Sequence, residues 1–76
     1  MNKARRARLA EAKELLEQAT AIIEECAEEE SEAYENAPEG LQQSERYAKM
    51  ETNADTLQTA LETVRQAIEE LEEGSQ

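Results

Sequence analysis

Side chains recur at alternating steps of three and four residues along two stretches of this chain, and one short bend separates the stretches. The first run is Leu9, Ala12, Leu16, Ala19, Ile23, Cys26, Glu30 and Ala33. The second is Tyr47, Met50, Ala54, Leu57, Leu61, Val64, Ile68 and Leu71. This spacing is the heptad seam of a helix packed lengthwise on another helix. Between the runs stands Asn36-Ala37-Pro38-Glu39-Gly40. Pro38 has no amide hydrogen and turns Ala37 away from helical backbone, so the first helix must stop there. Both stretches are otherwise rich in Ala, Glu, Leu, Gln and Arg, which lose little on entering a helix. The sequence therefore predicts an all-α chain forming an antiparallel two-helix coiled-coil hairpin, one domain over residues 1–76. Its helices run over 2–36 and 44–73, with a loop over 37–43. Asn2 and Ser44 are placed as N-caps, Glu45 in the first turn of the second helix, and Gly74 as its stop.

A bend this short forces facing residues to have numbers adding to a constant. With a constant of 80 the two seams match without a slip, from Leu9 against Leu71 to Ala33 against Tyr47. Several layers set a small residue against a large one, which lets the side chains interdigitate. Lys3, Arg5, Arg6 and Arg8 open the first helix and Glu69, Glu70, Glu72 and Glu73 close the second, each cluster opposing its own helix dipole. In a hairpin the two clusters lie side by side. Exposed pairs contribute only about 0–1 kcal/mol each, so the pattern sets orientation more than stability.

One hairpin leaves apolar surface over. Leu15 and Ile22 fall beside the seam, and Ala60 and Ala67 hold the adjoining flank of the second helix. Burying Leu15 and Ile22 would contribute about 1.5–3 kcal/mol each. The chain has no Trp or Phe, two Tyr and one Cys, so neither aromatic bulk nor an intrachain disulfide strengthens so small a core. The expectation is a homodimer, a four-helix bundle with this strip at its centre. Cys26, among Ala and Ile, reads as a small core residue.

The net charge of −11 argues against direct nucleic-acid binding, which needs a basic surface. No stretch is apolar enough to cross a bilayer, and residues 1–20 lack the apolar core of a secretory signal, so a cytoplasmic, non-membrane setting is expected. With no His, and no Ser or Cys beside an obvious base, catalysis is not expected. Glu24, Glu28 and Glu32 step along one face, but the Glu-x-x-His pattern of carboxylate metal bundles is absent, so neither metal nor cofactor is expected.

Residues 24–36 hold seven acids and no base. They form either a solvated face or an acidic docking face, through Glu24, Glu28, Glu29 and Glu32, for a basic protein. Glu30 is a second anomaly, because a carboxylate in the seam must be exposed, protonated or paired. Tyr34, Ser44, Arg46 and Tyr47 are close to it in the expected register. They form either a pocket where a nucleotide base stacks on a tyrosine while Arg46 meets a phosphate, or a pair of tyrosines capping the hairpin core.

The stretch Asn36-Ala-Pro-Glu-Gly-Leu-Gln-Gln-Ser-Glu-Arg46 resembles the loop of small acidic coiled-coil hairpin proteins of phages and mobile elements of Gram-positive bacteria. The matching positions are Asn36, Pro38, Glu39, Leu41, Gln42, Ser44, Glu45 and Arg46. The likeness extends over most of residues 20–72, though only the loop is distinctive. What it implies is an inhibitor of host defence that blocks a host protein or sequesters a signalling nucleotide. The leading expectation is a non-catalytic interaction protein whose acidic face and loop, with Asn36, Glu39 and Gln42 among the contacts, engage a host protein. Two other readings are a homo-oligomeric sponge for a signalling nucleotide and a structural dimerisation module.

Overall fold

Capping sets where the helices begin. Asn2 has extended backbone, and its side-chain oxygen accepts the Arg5 amide at 2.8 Å; Ser44 does the same for the Tyr47 amide at 3.2 Å. Each cap satisfies an amide that would otherwise lack a partner. In the computed structural model, which describes residues 1–76, helix α1 spans Lys3–Glu35 and α2 spans Glu45–Gly74. A 3-10 turn, Glu39–Leu41, lies between them. The caps thus fall just outside the helices, while Gly74 ends α2 within it and Ser75 takes the cap position.

The chain is all-helical, and α1 and α2 pack on one another as a hairpin. The resulting rod measures 59 × 14 × 13 Å. Packing two helices buries only a thin line. Three residues of 76 are buried, Ala27, Ala54 and Leu61, which is too few for a closed core. The accessible surface is 5924 Å², whereas a compact chain of 8.6 kDa would expose about 4,700 Å².

In α2 every expected seam residue is buried or half-buried. In α1 the seam holds as far as Ile23 and then moves by one residue. Ala27 is fully buried while Cys26 is exposed, and Tyr34 is half-buried while Ala33 is exposed. The expectation of a core cysteine is therefore corrected. A seven-residue repeat drifts about 20° per heptad on a straight helix. Leu16 to Ala27 and Ile23 to Tyr34 are instead eleven-residue intervals, which keep to one face when the helix has about 3.67 residues per turn.

The expected neutralisation of end charges is also corrected. Lys3, Arg5, Arg6 and Arg8 make no ion pair; Lys13 is the basic group that reaches α2, meeting Glu72 at 2.6 Å and Glu17 at 3.6 Å. Arg65 meets Glu24 at 3.4 Å. At 3.6 residues per turn, Lys13, Glu24, Arg65 and Glu72 all lie on one flank of the hairpin. Leu15 and Ile22, 58% and 63% exposed, lie on the opposite flank with half-buried Ala60 and Ala67.

Leu61→Ala removes one of the few enclosed side chains and is expected to cost about 2–4 kcal/mol, measured by urea unfolding. Gly40 has no positive φ, and nothing lies within 4 Å of where its Cβ would stand. Gly40→Ala is therefore expected to raise stability by about 0.4–1 kcal/mol in the same assay, through a less flexible unfolded chain.

Candidate functional site

The loop residues are mostly occupied in building the turn. The Asn36 amide donates to Glu32 O at 2.9 Å and closes α1. Pro38, extended at φ −59° and ψ 149°, starts the 3-10 turn, whose Leu41 and Gln42 amides donate to Pro38 O and Glu39 O. The Gln42 side-chain amide donates back to Ala37 O at 3.5 Å. The Ser44 hydroxyl donates to Leu41 O at 2.6 Å while accepting from Tyr47 N. The Gln42 and Ser44 side chains, expected as contacts for a ligand or partner, are thus bonded to backbone groups, while Asn36 uses its backbone amide and stays exposed. Glu39 is exposed on the turn.

Behind the turn, Tyr34 and Tyr47 stack with ring centroids 4.4 Å apart and planes 18° from parallel. Each ring covers one face of the other, and the pair caps the end of the helix contact. Arg46 does not join them. It is exposed and lines a separate open groove with Glu45, Ala48, Lys49 and Thr52. Glu30 is half-buried and borders another shallow groove with Asn53, Thr56 and Leu57, so the seam carboxylate keeps access to water among polar neighbours. Glu30 and Arg46 thus border separate grooves, neither of which the tyrosines line.

The Tyr47 hydroxyl beside it, then burial and the Glu51 carboxylate, hold the Tyr34 phenol well above its ordinary value. Lys13 is also raised, chiefly by its hydrogen bond to Glu72.

No family model, curated protein or solved structure matches this chain. No helix is long and apolar enough to cross a membrane. Of the seven carboxylates between Glu24 and Glu35, only Glu24 has a cationic partner, and it is the arginine of the neighbouring helix. Glu28 and Glu32 are exposed on the outer side of α1. Glu29, also exposed, is seven residues beyond Ile22 and turns toward the Leu15–Ile22 flank.

A raised folded-state value means the neutral phenol and the charged amine stabilise the fold. That contribution is complete below the ordinary values and fades as pH climbs through the raised ones. The unfolding midpoint is expected to fall from about pH 10 upward. Tyr47→Phe is expected to bring the Tyr34 ionisation back toward its ordinary range, read from phenolate absorbance in an alkaline titration.

Proposed function

We propose that this chain is a non-catalytic interaction protein that works as a homodimeric four-helix bundle and docks on a basic protein surface through the outer face of α1. The observation that carries the docking is the unneutralised row of Glu28 and Glu32, beside Glu25 and Glu35. Carboxylates three or four apart on a helix repel one another and cost about 0.2–0.5 kcal/mol per pair. Nothing in the fold offsets that cost, as no cation of the chain lies within 4 Å of these four groups. A basic partner would offset it, and complementary charge would also speed the encounter. The loop's resemblance supports the role of an inhibitor that occupies a host protein.

Dimerisation rests on the exposure of Leu15 and Ile22. Large exposed aliphatics beside half-buried alanines make a strip that a second copy would close. The stacked tyrosines favour the docking reading over a nucleotide sponge, since each ring covers a face of the other that a base would use.

Affinity capture from a Gram-positive bacterial lysate tests the docking. The wild-type chain is expected to retain a basic protein that Glu28→Lys/Glu32→Lys loses, with both chains equally helical by circular dichroism and equal in mass by sedimentation. Equal capture by the two chains, or none by either, overturns the reading.

A further inference from the structure

Charge along the rod differs between its ends. The loop half, residues 20–55, holds eleven acids and two bases, hence −9; the free half, residues 1–19 and 56–76, holds eight acids and six bases, hence −2. Two copies packed with their loops at the same end would set −9 beside −9. Packed with loops at opposite ends, each acidic half meets the less acidic half of its partner.

The apolar flank reaches the same answer independently. Arg8, Leu15, Ile22 and Glu29 stand at seven-residue intervals along α1, a row that winds about 60° around the helix, and all four are exposed. Turned end for end, this row meets a copy of itself with Leu15 opposite Ile22 and Arg8 opposite Glu29. The centre of that register falls between residues 18 and 19, next to the midpoint of α1 at residue 19, so the two helices overlap along their whole length. Neither Arg8 nor Glu29 has an ion-pair partner within its own chain. The opposite flank is already bridged by Lys13–Glu72 and Arg65–Glu24.

We propose that the dimer is antiparallel, with a two-fold axis perpendicular to the rod, α1 packed on α1, and Arg8 of each chain paired with the partner's Glu29. It rests on the dimer reading above and adds its orientation and register. Across the hairpin, Leu15 neighbours Ala67 and Ile22 neighbours Ala60, within a residue of the register fixed by the Tyr34–Tyr47 stack. Each central layer then holds Leu15 and Ala67 from one chain with Ile22 and Ala60 from the other. Two large and two small side chains in a layer can interdigitate. The symmetry supplies two such layers and two Arg8–Glu29 pairs, one pair at each rim, as an isologous interface requires.

The test uses the full chain in sedimentation equilibrium. Wild type is expected at the mass of two chains. Arg8→Glu and Glu29→Arg, each alone, place like charges at both rims and are expected to weaken self-association by about tenfold or more at low salt. Mixed together, the two variants are expected to form a heterodimer as tight as wild type, since all four rim positions are then matched. The double variant is expected to recover in the same way. A wild-type dimer whose single variants are unaffected, or whose mixture does not recover, overturns the antiparallel arrangement and leaves the dimer standing. A wild-type chain that stays monomeric overturns both.

Discussion

Two helices touching along their length can enclose only one line of side chains between them, and the short bend at residues 36–44 gives each helix no other intramolecular partner. Much of the molecule's behaviour follows from that restriction. The enclosed line is narrow enough that small residues dominate its tightest points: Ala27 and Ala54 are buried because the helices approach closely, and Leu61 is the one large side chain almost fully covered. Residues one step off the line, such as Leu15 and Ile22, stay in water although nothing in their chemistry favours it. The fold is complete as a hairpin and incomplete as a hydrophobic unit.

The fold was legible because its information is periodic. Sixteen seam positions repeating in two matched runs overdetermine a hairpin, and the Pro38 break places the bend without recourse to tertiary contacts. What the sequence did not reveal is the slow angular drift of the first seam. A heptad line and an eleven-residue line coincide through Ile23 and part only afterwards, so Cys26 and Ala27 are equivalent candidates until the helix geometry separates them. The outward turn of Arg46 was hidden for a related reason. Spacing showed that Tyr34, Arg46 and Tyr47 are near the same end, but adjacent residues on a helix point about 100° apart. Tyr47 therefore turns inward to Tyr34 while Arg46 turns out.

The amount of charge is legible in the sequence, and its pairing is less so. The basic cluster at the start of α1 and the acidic cluster at the end of α2 are real, yet contact between helices is made by Lys13, whose position on the flank of the seam lets its chain reach across to Glu72. The arginines at the start of α1 keep their charge unspent within the chain. Part of the loop motif builds the turn: a proline to begin it, a glutamine to clasp it, and a serine that both ends it and starts the next helix. A stretch can be distinctive in sequence because a tight connection tolerates few solutions.

The uneven charge along a 59 Å rod makes a single hairpin a long electric dipole as well as an anion. In the field of a cationic surface such a rod swings its loop end inward before any contact forms. Reversing one copy on another cancels the dipole and leaves only the total charge, so the isolated chain and the proposed dimer would approach the same target in different poses: the first end-on, the second broadside.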